Sequence, residues 1–191
     1  MLRTFLKNIA EIQTGLYINT ISEGDVVYLQ AKHFDENGRL NVRLHPNLTY
    51  NSTIEKHLLH QGDVLFAAKG TKNFATCILF DHLPLVASTS FFVIRIKNTE
   101  AKDILPEFLT WYINHPVSQN YLKANAIGTS MVSISKEVLK YLEIPIIDIQ
   151  TQKNVLKIDK LKYREKELQD QLILLRDKIL QQQLLNALNQ I

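Results

Sequence analysis

The chain has 191 residues, 46% of them apolar and 21% charged, which supports one compact domain with a core plus an appendage and excludes a disordered protein. No apolar run approaches the roughly 18 residues that span a bilayer. The N-terminal "MLRTFLKNIAEIQTG" carries Asn8 and Glu11 where an export signal needs an apolar stretch, so none is expected. Cys77 is the single cysteine; it excludes an internal disulfide and a cysteine-based zinc cluster and fits a reducing cytoplasm. The net charge is +3, yet residues 1–149 hold 14 Lys/Arg against 14 Asp/Glu, and residues 150–191 hold 8 against 5. A globular part with no net charge is not a general polyanion binder; any nucleic-acid contact falls to a local patch or to base edges.

Along the chain, "FLKNIAEIQTG" places Phe5, Ile9 and Ile12 at helical spacing and predicts a helix ending at Gly15. "DVVYLQAKHF" reads as a strand, followed by a tight turn at Asn37-Gly38. "QGDVLFAA", "ATCILF", "PLVAST" and "SFFVIRIK" are four short segments rich in β-branched and aromatic residues, which predict neighbouring strands. The period then changes. "LPEFLTWYINHP" is an amphipathic helix with Pro106 near its start, stopped before Pro116, and "VSQNYLKANA" continues as a second helix. "IGTSM" is a loop pivoting on Gly128. "SKEVLKYL" is a helical turn with Ser135 as its cap, and "EIPIIDI" an extended exit.

From about Thr151 there is no Gly or Pro to the end. Ile158, Leu161, Leu168, Leu172, Leu175 and Ile179 keep three- and four-residue steps with a polar break at Glu165; beyond 179 the stripe slips to Leu180, Leu184, Leu188 and Ile191. A helix of that length must bury its stripe, and another such helix is the simplest partner. Ile158, Leu161, Leu168, Leu172, Leu175, Ile179, Leu184 and Leu188 are therefore the expected dimerisation residues. The predicted class is α+β: a mixed domain of short strands and flanking helices over residues 1–148, then a long coiled-coil helix over 149–191.

Catalytic motifs are sparse. His57 and His60 in "HLLH" stand one helical turn apart but lack a third ligand and a base at metalloprotease spacing, so no metal site is expected. A magnesium nuclease would follow an acid such as Asp63 with Glu-x-Lys, whereas the chain reads Ala67-Ala68-Lys69 and lacks the second carboxylate. No methyltransferase cofactor loop with its target-base motif, phosphate-binding loop or nucleophile elbow occurs. What remains is three polar loops: "QTGLY" (13–17), "AAKGTKN" (67–73) and "IGTSM" (127–131). Each pairs Gly, which lets a backbone approach a ligand, with Thr, and the second adds Lys69, Lys72 and Asn73, donors suited to phosphates and base edges.

In order, "IAEIQTG", "VVYLQAKHFDENGRL", "HQGDVLFAAKGT", "ASTSFFVIRI", "LPEFLTWYINHP" and "GTSMVSISKEVLKYLEIPI", then a Gln-containing helix start and a long helix, resemble the DNA specificity subunit of type I restriction–modification systems. The match runs over essentially the whole chain. It departs from the family in having Asp148 and Gln150 where a proline-rich exit and Glu-Gln are usual, and in having one recognition domain and one long helix instead of two, which makes it look like a half-subunit. The resemblance implies a non-catalytic subunit that reads double-stranded DNA through Thr14, Gly15, Tyr17, Lys32, Lys69, Gly70, Thr71, Lys72, Asn73, Gly128, Thr129 and Ser130. It also implies a homodimer through the helix, methyltransferase subunits and a motor-nuclease subunit as partners, and no cofactor of its own, with S-adenosylmethionine, ATP and Mg on those partners. Two other readings compete: a DNA-independent scaffold or regulator derived from such a subunit, and a small metal-dependent nuclease built on Asp63.

Overall fold

The computed structural model describes residues 2–35, 38–70, 73–79, 83–97, 104–127 and 133–188. The elements are β1 (Leu2–Phe5), α1 (Leu6–Ile9), β2 (Ala10–Thr14), β3 (Val27–Leu29), a 3₁₀ turn (Ala31–His33), α2 (Ser52–Glu55), β4 (Val64–Ala67), β5 (Ala75–Cys77), β6 (Leu85–Ala87), β7 (Phe91–Ile96), α3 (Pro106–Asn114), α4 (Pro116–Ala124), α5 (Lys136–Lys140), β8 (Glu143–Ile146) and α6 (Ile149–Leu188). The fold is mixed α+β with a long C-terminal helix. It divides into two compact units, Met1–Gln152 and Lys153–Ile191.

In the first unit, β2, β7, β4 and β5 form an antiparallel sheet in that order. All four residues of β4 are buried. Val64 and Phe66 pack with Leu109 and Ile113 of α3, while Leu65 and Ala67 pack with Leu29 and Leu85 on the other side. A strand covered on both faces needs a continuous apolar run, which is why "VLFA" does not alternate. Two further pairs complete the unit: β3 parallel to β6, and β1 antiparallel to β8.

The expected helix over "FLKNIAEIQTG" is a single turn, α1, set between two strands. "AEIQT" also alternates, with Ala10 and Ile12 buried and Glu11 and Gln13 exposed, and its pairing with β7 (Ala10↔Ile96 to Thr14↔Phe92) overrides the helical spacing. The strand expected over "DVVYLQAKHF" stops at Leu29, where Gln30 and His33 cap the 3₁₀ turn reciprocally. The four expected strands form, but β6 joins β3 rather than the sheet of its neighbours. Phe34 bridges Leu40 around Gly38, whose φ is +76°; Asn37 of that turn lies outside the described residues.

Three polar side chains lock the elements. Asp63 is buried, and Arg95 of β7 donates to both its oxygens (Nε to Oδ1 2.8 Å, Nη2 to Oδ2 2.6 Å). Oδ2 also accepts the His60 N–H at 2.8 Å. The Asp63 hydrogen bond raises the Arg95 pKa further. Asn114, at the end of α3, accepts the Ala75 N–H (2.7 Å) and donates to the Ala75 carbonyl (2.8 Å), so one amide satisfies both outward backbone groups of Ala75 in edge strand β5. Gln152, fully buried in the first turn of α6, accepts the Leu105 N–H and donates to the Ile147 carbonyl, each at 2.9 Å. Asp148 caps α6, its carboxylate accepting the Thr151 N–H (2.9 Å) and hydroxyl (2.6 Å). Those bonds lower its pKa. Ser135 caps α5 as expected, accepting the Val138 N–H.

The second unit is the rest of α6. At 1.5 Å per residue, the 40 residues of the helix run about 60 Å. Its apolar residues, from Ile158 to Leu188, are exposed in the chain at 48–68% apart from Tyr163 at 38%. Among the described residues no helix is long and apolar enough to cross a membrane.

Replacing Asp63 with Ala leaves the Arg95 guanidinium half-buried with its charged acceptor gone. Chemical denaturation is expected to show a loss of about 2–3 kcal/mol. Asp63→Asn, which keeps one acceptor oxygen, is expected to lose less.

Candidate nucleic-acid interface

The turn between β6 and β7, Ser88–Thr89–Ser90, is the joint around which the polar loops gather. On one side the Gly15 N–H bonds the Phe91 carbonyl (3.0 Å) and the Leu16 N–H bonds the Ala87 carbonyl (2.8 Å). On the other, the Ala68 N–H bonds the Ser90 carbonyl (2.9 Å). The Ile134 N–H then bonds the Ala68 carbonyl (2.9 Å), Lys69 bridges Ser133, and Ser133 and Ile127 exchange both backbone bonds at 3.0 Å. The Ser88 N–H reaches the carbonyl of Leu29, the last residue of β3 (2.8 Å). One backbone-bonded row thus ties segments 14–17, 67–70, 87–91, 127 and 133–134 across the end of the sheet where β2 and β4 finish and β7 begins.

The nominated residues distribute along this row. Thr14, Tyr17 and Lys69 are exposed, Tyr17 at 79%. Gly15 sits against the turn so closely that a Cβ would lie 2.1 Å from the Ser88 carbonyl oxygen, so its glycine serves the protein's own packing. Gly70 has φ +132° and open space around a built Cβ; it is glycine for conformation, not room. Asn73 is half-buried, and its amide donates to the Ala67 carbonyl (2.9 Å), closing the loop from within. Lys32 is exposed on the 3₁₀ turn just past β3, at the flank of the row. Thr71, Lys72, Gly128, Thr129 and Ser130 lie outside the described residues; in the sequence Gly70 and Asn73 flank the first two, Ile127 and Ser133 the stretch that holds the others.

Sequence reading missed five contributors. Ser88 and Ser90, with hydroxyl oxygens 2.6 Å apart, form the central joint. Tyr28 donates its hydroxyl to the Leu16 carbonyl (2.7 Å), bracing the first loop, and burial raises its pKa. Lys56 and His57, just past α2, line a crevice with Gln13, Thr14, Gly15 and Arg95, adding cationic capacity beside the row. In the sequence "AST" reads as the end of the strand "PLVAST", and nothing local signals that residues 56–57 return to Thr14. Asp63, the acid of the nuclease reading, has both oxygens engaged by Arg95. Among the described residues no group of three or more His, Cys, Asp or Glu gathers as a metal site. Burial pushes the Cys77 thiol up to about 12, which makes it a poor nucleophile.

The family model described as "Type I restriction modification DNA specificity domain" matches residues 3–173. The chain belongs to that family. Against curated proteins no match is found. Solved structures show the same fold. A chain from work on complex assembly and conformational transition of the type I R-M system is 19% identical with a TM-score of 0.61, over 88% of this chain and 43% of that one. The S subunit of a type I restriction–modification system from M. genitalium gives 14% and 0.56, over 86% and 40%. The HsdS subunit from Thermoanaerobacter tengcongensis gives 20% and 0.60, over 87% and 43%. At these identities the likeness is one of fold, and the specificity-domain chain described here spans about two fifths of their length.

Two substitutions separate the roles of the glycines. Gly15→Ala forces a Cβ into the Ser88 carbonyl and is expected to cost about 2–3 kcal/mol, with the loss spreading to amide exchange at Leu16 and Phe91. Gly70→Ala meets only conformational strain and is expected to cost about 1–2 kcal/mol, confined to its own loop. A third expectation concerns pH. His33 has its pKa lowered by burial and then by Lys32, and its Nδ1 accepts the Gln30 N–H (3.3 Å). The unfolded chain binds the proton more readily, so this contribution is intact above about 6.5 and is lost as pH falls through the lower folded value. Gln30 amide exchange is expected to accelerate below pH 6 in the wild type and to show no such step in His33→Gln.

Proposed function

We propose that this chain is the sequence-specific DNA recognition subunit of a type I restriction–modification complex, with residues 1–148 as its target recognition domain and 149–191 as a dimerisation and spacer helix. The observation that carries the reading is the backbone-bonded row. In it Thr14–Tyr17, Lys69–Gly70 and Ile127 with Ser133 lie at one end of one sheet, which supports a reading in which residues far apart in sequence present donors together. Major-groove base pairs differ in their donor and acceptor patterns, and Thr, Asn and Lys side chains on fixed backbones are suited to reading them. Lys32 and Lys69 supply local positive charge to a domain without net charge. Binding therefore rests on fit and local contacts more than on a general field, and tight DNA binding needs the methyltransferase to complete the clamp.

The chain itself supplies address and architecture. Methyltransferase subunits carrying S-adenosylmethionine flip and modify the target adenine, and the motor-nuclease subunit brings ATP and Mg chemistry. The exposed stripe of Ile158, Leu161, Leu168, Leu172, Leu175, Ile179, Leu184 and Leu188 supports pairing with the same helix of a second copy. A two-fold pair of this kind reads inverted half-sites across a fixed gap.

The decisive measurement is a map of modified adenines in the source genome with and without this gene. Loss of methylation at a gapped palindrome is the expected result; loss at a gapped asymmetric site replaces the homodimer by a heterodimer; no change sinks the recognition reading in favour of a scaffold. In the assembled complex, Lys69→Ala is expected to reduce the salt slope of DNA binding by about one if Lys69 touches a phosphate, or to cost about 1–3 kcal/mol at one base pair if it reads a base.

A further inference from the structure

A second concavity shares no residue with the loop row. It is a pocket of about 420 Å³ between β1, the start of α4 and the link from α5 to β8. Its walls are aromatic: Phe5, Tyr112, Tyr121 and Tyr141 all line it, with Tyr141 edge-on to Phe5 at 5.5 Å between ring centroids. Ser118, in the first turn of α4, also lines it and is 1% exposed. Among the described residues its Oγ is the one buried side-chain oxygen or nitrogen without a hydrogen-bond partner. Such atoms are uncommon because desolvation goes uncompensated, and a serine of the pocket wall whose hydroxyl lacks a partner points to a ligand that completes it. Among the lining residues the Arg3 guanidinium pairs with Glu143 (3.2 Å), and the Lys7 ammonium, outside the lining, lies 3.9 Å from the centroid of the Tyr141 ring. Two cations against one carboxylate leave the surroundings of Tyr141 and Arg3 positive.

We propose that this pocket binds a nucleotide unit: the base stacks on the tyrosines, a polar edge of the base satisfies Ser118 Oγ, and the phosphate is held at the Arg3 and Lys7 side. The size lies within the range of small-ligand sites. Stacking on aromatic rings is tolerant of base identity, so the pocket accepts a nucleotide without reading sequence. An apolar peptide side chain would fill the aromatic walls but leave the serine unpaired and the positive surroundings unused. The same chemistry comes from a free mononucleotide or from an unpaired nucleotide in a strand.

The test is calorimetric titration of the full chain with adenosine monophosphate, with a short oligonucleotide bearing an unpaired adenine, and with N-acetyltryptophanamide as an uncharged aromatic comparator. Saturable binding of the mononucleotide with a Kd below roughly 1 mM is expected. Ser118→Ala and Tyr141→Ala are each expected to weaken it about tenfold. The thermal midpoint of Ser118→Ala is expected to stay level or rise, because the lost hydroxyl had no partner, and Tyr141 is 45% exposed, so its truncation leaves the core intact. Tighter, variant-sensitive binding of the oligonucleotide assigns the site to a strand; preference for the mononucleotide assigns it to a free ligand. Lys69→Ala leaves nucleotide binding unchanged, which separates this site from the DNA row. Absence of saturable binding by either nucleotide form, or equal affinity for N-acetyltryptophanamide, overturns the proposal.

Discussion

Burial of β4 on both faces is the constraint from which the geometry of the recognition end follows. Phe66 belongs to one core and Leu65 to the other. A slip of one residue would exchange them, placing each side chain in a cavity shaped for its neighbour. The register against β5 and β7 is therefore held by packing from two directions. Wherever β4 ends, Ala68 and Lys69 must emerge, and they emerge beside Ser90. The core thus acts on the candidate interface through the chain's own covalent continuity, while the Asp63–Arg95 pair holds the opposite end of the same strand against β7.

This division suits a recognition module. The backbones of the loops are fastened by bonds to one another and to the sheet, whereas Thr14, Tyr17 and Lys69 stay exposed and outside the core. Changing those side chains leaves the fold's energetics nearly untouched, so in the proposed reading specificity can vary without reinventing the scaffold. Gly15 and Asn73 belong to the other class. Their sequence context resembles that of ligand loops, but one yields to the Ser88 carbonyl and the other holds the Ala67 carbonyl.

Local chemistry in the sequence foretold those elements whose cause is local. Pro106 and Pro116 begin α3 and α4, Ser135 caps α5, and the absence of Gly and Pro after Thr151 gives the long helix. The substitution at the exit, Asp148, proved a helix cap in its own right. Failures came where a distant partner decides. "AEIQT" is a strand because β7 lies alongside it, and β3 finds β6 more than fifty residues away. The three Gly-Thr loops were visible one by one, but not the row that joins them, because the joint is made of backbone groups in a segment that reads as the end of a strand. Lys56 and His57 were invisible for the same reason: their nearness to Thr14 is a property of topology.

Asn114 has a consequence for how this domain survives before it is assembled. Strand β5 is the edge of the central sheet, and Ala75 offers outward the N–H and carbonyl that an incoming strand would use. The amide of Asn114 occupies both, mimicking a neighbouring peptide unit while adding no strand. If, as proposed, this chain joins other subunits, it waits for them in a crowded cell, and during that wait an open edge invites pairing with any extended polypeptide. One side chain from a helix closes that edge at Ala75, and in the proposed assembly the exposed apolar surface of α6 is where association takes place.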